Sequence, residues 1–448
     1  MKIPSFRRQQ IWYMFLFLYL VLFVKTTEGR KKKRKRKNRD GEGSTSSRRT
    51  TADEVCEACV PDSSCDCMEQ LNSNYLTKTE DFPTRSNYPK VVQGMHIGCA
   101  CPCSTDSSLA VFTFARHAME ESPRLSFTIS KDASFRYFRE TVDRVLEIPE
   151  NPGRYGRPEL RQPWRMFDPF LRQPLTSVSD ALRSRSPGFK HAVPVQGMVY
   201  VIEGGQFIHN GLRVGAVQDV TLDDETVISL TTRSLRPLLF ETDFLSEDEC
   251  THIVDVMRDR MGELHNSGVI QNDHDQGKKA TEWRTSSQMW LKKGHSATTK
   301  ALANRAADFT GTEYNQQADT QLLRYLDTQF YDAHLDAFDP AHYQLYIDSI
   351  DHGHKNRLLT IFWYLTDVPA GGETIFPRAY GLPQPHNFHD CDNSKGLKVR
   401  PRRGNIILWY NLLPNGVVDQ DALHGGCPVK ENGTKLSANV WIWNKAKY

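Results

Sequence analysis

Seven of the ten cysteines lie between Cys56 and Cys103, in the stretches "CEACVPDSSCDC" and "CACPC", with little apolar material between them. Such a segment buries too little surface to hold itself together, so its cysteines are its framework, either as disulfides or as metal ligands. Cys56 and Cys59 have zinc-pair spacing. Cys-x-Cys pairs follow in place of a second CxxC, however, which favours disulfides over a zinc knuckle. Seven is odd, so one of these cysteines pairs elsewhere or stays free.

Disulfides imply an oxidising compartment, and the N-terminus offers a route to one. A short basic region precedes "IWYMFLFLYLVLFV", an apolar run shorter than the roughly 20 residues that span a bilayer. Residues 1–29 therefore read as a signal peptide cut after Gly29, with an uncleaved signal anchor as the rival. The expected location is the endoplasmic reticulum lumen or membrane, with secretion also open. Residues 30–55 begin "RKKKRKRKNR" and continue rich in Gly, Ser and Thr, the pattern of a basic disordered linker. Residues 30–39 are a candidate contact for polyanions or a membrane surface, or a basic-site cleavage point. Behind a leader, no specific nucleic-acid partner is expected.

The chain has 448 residues, 39% hydrophobic and 25% charged, enough for two folded domains with appendages. Residues 56–103 form the Cys-rich segment. Residues 104–235 read as a β-containing module of unassigned function, since "GMVYVIEGGQFIHNGLRVGAV" alternates β-rich runs with Gly-Gly and Asn-Gly turns. Within it, "GRYGRPELRQPWRMFDPFLRQP" has the composition of a peptide groove or of irregular packing over a neighbour. From residue 236 the pattern changes to a strand and then a helix capped by Ser246. A series of strands follows, among them "QLLRYL", "RLLTIFWYL", "GLKVRP", "NIILWYNLL" and "LSANVWIW". The fold class is α+β, mainly β, with a barrel or double-sheet jelly roll at the C-terminal end.

In "YDAHLDAFDP", strand alternation puts His334 and Asp336 on one side, close enough to share an ion. His424, in "DALHGGCPV", lies between two strand candidates and can return to the same mouth. Two histidines and one carboxylate with open positions are the ligand set of a non-haem Fe(II) centre. His352, His354, His386 and His389 are rival ligands in segments that read as loops.

Residues 236–448 resemble the catalytic domain of the prolyl 4-hydroxylases, Fe(II)- and 2-oxoglutarate-dependent dioxygenases. The resemblance rests on "FLSEDEC", "RTSSQMWL", "RYLDTQFYDAHLD", "NRLLTIFWYLTDVPAGGETIFP", "GLKVRPRRGNIILWYNLLPNG" and "LHGGCPVKENGTKLSANVWIW", in the family's order. The look is nearest to the animal endoplasmic-reticulum transmembrane prolyl 4-hydroxylases. The resemblance implies a double-stranded β-helix in which His334, Asp336 and His424 are the catalytic iron ligands. It implies that Lys435 holds the distal carboxylate of 2-oxoglutarate, a role suited to a fixed buried cation. It also implies that Tyr325 hydrogen-bonds the cosubstrate, that Thr360 faces the same pocket and that Trp441 stands near the iron-bound water.

The activity so implied is hydroxylation of peptidyl proline to 4-hydroxyproline, with release of succinate and CO2. Its cofactors would be Fe(II), 2-oxoglutarate and L-ascorbate, and its partner a proline-containing protein or peptide, with a partner subunit or homo-oligomer also open. One alternative is a lysyl hydroxylase or other 2-oxoglutarate oxygenase, although the lysyl enzymes usually place arginine where Lys435 stands. Another is a non-catalytic secreted binding protein on the same scaffold, which loss of a ligand would favour; none is lost.

The chain also departs from the family. Lys435 follows His424 by eleven residues where many relatives have ten, so the "KENGT" turn must absorb one. Leu436 replaces a common tryptophan and Val440 a polar residue, changes that would bear on the pocket wall. The segment between Asp336 and Asn356 is long and falls near the substrate channel. No EF-hand loop is present, so calcium is not implied. Cys391 and Cys427 could be bridged, leaving Cys250 to pair with the Cys-rich segment or stay reduced. The sequon at Asn432 is too near Lys435 for a glycan to be expected.

Overall fold

"RLLTIFWYL" and "LSANVWIW" become neighbouring central strands because both are buried along almost their whole length, so neither can occupy an edge. The structure is a computed structural model describing residues 59–63, 65, 67–71, 95–116, 125–148, 164–167, 174–183, 197–204, 209, 213–269, 279–379 and 391–447. The expected leader, the basic linker, Cys56, His386, His389 and most of the candidate peptide groove lie outside the described residues.

The strands in chain order are β1 Met95–Pro102, β2 Leu109–Arg116, β3 Leu125–Ser130, β4 Trp164–Phe167, β5 Met198–Glu203, β6 Val217–Thr221 and β7 Val227–Leu235. They continue as β8 Leu238–Asp243, β9 His265–Asn266, β10 Ser287–Leu291, β11 Thr320–Tyr325, β12 Tyr331–His334 and β13 Arg357–Tyr364. The last are β14 Ala370–Gly371, β15 Thr374–Phe376, β16 Leu397–Val399, β17 Asn405–Tyr410, β18 His424–Gly426, β19 Val429–Lys430 and β20 Lys435–Trp443. A nine-stranded sheet runs β6-β7-β8-β17-β13-β20-β11-β10-β9, and a four-stranded sheet runs β12-β18-β15-β16. Leu239, Tyr325, Tyr364 and Trp409 of the large sheet share one buried cluster with Phe376, Leu397 and Val399 of the small one. Two antiparallel sheets closed over a common core make the expected jelly roll.

The opposite face of the large sheet is covered by helices Glu247–Asp259 and Ala297–Thr310, whose Ile253, Met257, Leu302 and Phe309 pack with Ile361 and Leu408. Ser246 and Ser296 begin these helices, each with its hydroxyl accepting from the backbone three residues on. Arg305 ties the two together through a 2.8 Å ion pair to Glu249.

The sheet does not begin at residue 236. Strands β6 and β7 precede that point and extend the large sheet, because β7 and β8 form a hairpin across the expected boundary. The Cys-rich segment likewise does not stand apart. Its β1 is the middle strand of a five-stranded sheet ordered β3-β2-β1-β5-β4. Cys99, Cys101 and Cys103, spaced by two at the end of β1 and just beyond it, are disulfide-bonded to Cys67, Cys65 and Cys59. The described cysteines of this segment are thus staples and not zinc ligands. In the chain-entropy account, the first of these nested loops of 32 to 44 residues to close stabilises the fold by about 4 kcal/mol, and the other two, already confined by it, add less. The other face of this sheet packs Phe112 and Phe114 on Phe138 of the helix Phe135–Val145. Cys391 is bridged to Cys427, and Cys250 is a free, buried thiol.

Candidate metal centre

His334 ends β12 and His424 begins β18, and the antiparallel register sets the two directly opposite each other. The strands approach closely at Gly425, where an added Cβ would lie 2.9 Å from the Tyr331 carbonyl oxygen. Asp336 is not on the strand; it lies in the bend that follows. Arg357 holds that bend by donating from Nη1 to the Asp336 carbonyl oxygen at 3.0 Å.

Among the described residues, His334, Asp336 and His424 form the one group of such side chains arranged to hold a metal ion, with ligand atoms within 4.8 Å of one another. His352 and His354 do not join it. His334 Nε2 lies 3.6 Å from Asp336 Oδ1, and His424 Nε2 lies 3.6 Å from Oδ2. Each imidazole is oriented from behind: His334 Nδ1 is 2.9 Å from the Asp332 carbonyl and His424 Nδ1 is 2.9 Å from the Ala422 carbonyl. Nδ1 can only donate to a carbonyl, so Nε2 carries the free lone pair, as a metal-binding imidazole requires.

Asp336 is fixed by a relay in which Thr360 Oγ1 donates to Oδ2 at 2.7 Å while accepting from Asn411 Nδ2 at 2.9 Å. Burial alone would raise the Asp336 carboxyl, but His424, His334 and Arg357 outweigh it and hold the group well below the usual carboxylate range. Burial pushes His424 down to about 4 against the pull of Asp336, so its imidazole is neutral near pH 7. A compact, borderline-soft divalent cation such as Fe(II) fits this donor set of two neutral nitrogens and one carboxylate.

The centre lies between two cavities. A narrow inner pocket of about 20 Å³ is lined by Tyr325, Phe362, Asn439 and Lys435, and also by His334 and His424. Lys435 is 1% exposed, and its Nζ stands 5.1 to 5.5 Å from the ring centres of Tyr325, Phe362 and Tyr364. Its Nζ donates to the Gly372 carbonyl at 2.7 Å, with no carboxylate in ion-pair contact among the described residues. Burial, opposed by Glu373, brings this ammonium down to about 7. A buried cation in an aromatic cage without an acid is suited to receive a carboxylate. The inserted residue in the preceding turn is absorbed by Glu431 and Asn432, both left-handed at φ 58° and 52°.

The outer cleft, of about 260 Å³, is lined by Arg284, Gln288, Gln321, Tyr331, Arg357 and Trp441, with Phe338 and Tyr343 from the long segment after Asp336. Strand β20 spans both spaces, because alternate residues share a face: Lys435 and Asn439 line the inner pocket and Trp441 the cleft.

The expected site residues sort accordingly. His334, Asp336 and His424 converge, and Tyr325 and Lys435 meet in the inner pocket. Thr360 does not line that pocket; its hydroxyl is spent on Asp336. Trp441 stands in the outer cleft, 3.8 Å under the Arg357 guanidinium. Leu436 and Val440 pack on the other side of β20, into the core beneath the helices, and so are not pocket wall. Sequence reasoning missed Tyr331, whose ring stacks on His334 at 3.7 Å between centres, and Arg284, 4.2 Å over Tyr331. Arg284 lies within the quoted "RTSSQMWL", the one signal that could have drawn attention to it.

The class of protein defined by this jelly roll and its facial triad agrees with a family-level match: residues 320–443 match the 2OG-Fe(II) oxygenase superfamily. Among curated proteins, probable prolyl 4-hydroxylase 4 of Arabidopsis thaliana is 36% identical over 206 residues, 44% of this chain and 64% of that protein. Probable prolyl 4-hydroxylase 6 of the same plant is 34% identical over 223 residues, 49% of this chain and 73% of that protein. A solved viral collagen prolyl hydroxylase from Paramecium bursaria Chlorella virus-1 overlaps with a TM-score of 0.33 at 24% identity, covering 46% of this chain and 95% of that one. The chain belongs to the prolyl 4-hydroxylase family, and it spans about two thirds of the length of the curated relatives it matches. The family's cofactors are Fe(II) and 2-oxoglutarate, with L-ascorbate typical of prolyl hydroxylases, and the residues present fit the first two.

Proposed function

We propose that this protein hydroxylates peptidyl proline to 4-hydroxyproline, using Fe(II) held by His334, Asp336 and His424. The observation that carries the reading is the pairing of a metal triad with a buried, acid-free lysine in one pocket. That pairing suits a dicarboxylate chelating the metal at one end and meeting Lys435 at the other. When bound, Fe(II) and 2-oxoglutarate supply the oxidising chemistry, in which dioxygen and 2-oxoglutarate are converted with a proline C–H into succinate, CO2 and C–OH.

The chain's own part is placement. Asp332 and Ala422 fix the imidazole tautomers, and Thr360 with Asn411 fixes the carboxylate. Lys435 and Tyr325 orient the cosubstrate, and the aromatic cage keeps water from it. The cleft receives the peptide. Lysine at position 435, together with relatives that are prolyl hydroxylases, supports proline over lysine as the target. Four disulfides support the secretory pathway as the setting.

The test is incubation of the purified chain with Fe(II), 2-oxoglutarate, ascorbate and a panel of proline peptides, read by mass spectrometry for succinate and a gain of one oxygen. Hydroxyproline with matching succinate is expected. Hydroxylysine without hydroxyproline would overturn the proline assignment, and succinate undiminished in His334→Ala would overturn the iron assignment.

A further inference from the structure

The inner pocket is recognised by a buried cation that lacks an acid, and the same signature occurs a second time, in the outer cleft. Arg284 is 4% exposed and lines the cleft. Its Nε donates to Ser286 Oγ at 2.9 Å, and its Nη1 makes a long contact of 3.4 Å to the Gly268 carbonyl. Its Nη2 has no hydrogen-bond partner among the described residues. Ser286 donates onward to Ser267, so the bond from Nε leads only to neutral hydroxyls. The one carboxylate lining the cleft among the described residues is Asp336, which is committed to the triad, to Thr360 and to Arg357. The ring of Tyr331 compensates the guanidinium in part, but a cation–π contact is worth less than an ion pair and leaves N–H groups unmet.

We propose that Arg284 is an anion subsite that selects peptides carrying an aspartate or glutamate within two residues of the target proline. This rests on reading the cleft as the peptide site. A main-chain carbonyl would satisfy an N–H, but only a carboxylate matches the charge as well.

The spacing follows from the stack. The Arg284 guanidinium lies 4.2 Å from the Tyr331 ring centre, and that ring lies 3.7 Å from His334. Two stacking layers correspond to about two residues of extended peptide, at ~3.3–3.6 Å each. Arg284 is held in place by its backbone bridge to Tyr331 at the start of β12, so the subsite is tied to the strand that carries His334.

The test uses the full chain and fluorescently labelled proline peptides with Asp or Glu beside the proline, against Asn or Gln at the same positions, read by anisotropy. Acidic peptides should bind about tenfold or more tighter than their amide counterparts, the scale of a charge-assisted bond. In Arg284→Gln this preference should vanish, with acidic peptides weakened about tenfold more than their amide counterparts. Arg284→Lys, which keeps the charge, should retain part of the preference and guards against a mere loss of fold. Equal binding of acidic and amide peptides by the wild-type chain would overturn the proposal. So would equal weakening of both by Arg284→Gln, which would assign the residue to a main-chain carbonyl. Hydroxylation of acidic and amide peptides with equal efficiency would sink the subsite and leave the prolyl hydroxylase reading intact. Binding of none of the peptides would sink both.

Discussion

The inner pocket and the outer cleft share His334 as a common wall, and each holds a buried cation, yet they are built from opposite materials. The pocket is narrow and aromatic, with Lys435 caged by three rings. The cleft is an order of magnitude larger and mixes two arginines, two glutamines and aromatic side chains. A site that always takes the same small dianion can be closed and rigid. A site that must admit a polymer has to stay open, and it selects by a few charged and polar contacts at its walls. The shared metal centre is where the two requirements meet.

Substitutions separate the two spaces, beginning at the wall they share. Asp336→Ala should abolish both functions at once, cutting metal-dependent succinate formation by about a thousandfold or more, because the two imidazoles alone do not hold the ion. Succinate assay beside equilibrium dialysis of the metal checks this. Lys435→Met should touch only the pocket, weakening 2-oxoglutarate about 100-fold while metal content stays the same, as calorimetry would show. Equal damage to peptide binding would mean that the two cavities are not separate.

A pH titration sharpens the same point. Burial lowers the Lys435 ammonium to about 7, and the charged form is the one that holds a carboxylate. Affinity for 2-oxoglutarate should therefore be flat below pH 7 and fall by up to about tenfold per pH unit above it, while Lys435→Arg should remove the slope because arginine keeps its charge. A flat profile in the wild-type chain would contradict that role for Lys435. The smallest effect is expected of Thr360→Val, which frees one oxygen of Asp336. Metal affinity should fall about tenfold, with the cosubstrate constant at saturating metal unchanged.

The two spaces also differ in how far the sequence discloses them. The pocket was legible: His334 and His424 stood out as candidate ligands in the strand pattern, and the family resemblance pointed to Tyr325 and Lys435. Even there Thr360 was misplaced. It shares a strand face with Phe362 and Tyr364, but it sits two residues along, level with Asp336, and so reaches the metal ligand. The cleft was mostly illegible. Arg284 meets Tyr331, and Gln288 meets Gln321, across dozens of residues, through pairings that no local pattern reveals. The boundary expected at residue 236 failed for a related reason: the composition changes there, but the β7–β8 hairpin carries the sheet across it.

The central claim is that the triad and Lys435 form one site for a single metal-chelating dicarboxylate. Calorimetric titration of 2-oxoglutarate into the full chain, metal-stripped and then loaded with Fe(II) under anaerobic conditions, tests it most directly. Tight binding is expected only with metal present, lost in Asp336→Ala and strongly weakened in Lys435→Met. Affinity that is the same with and without metal, or indifferent to Lys435, would contradict it.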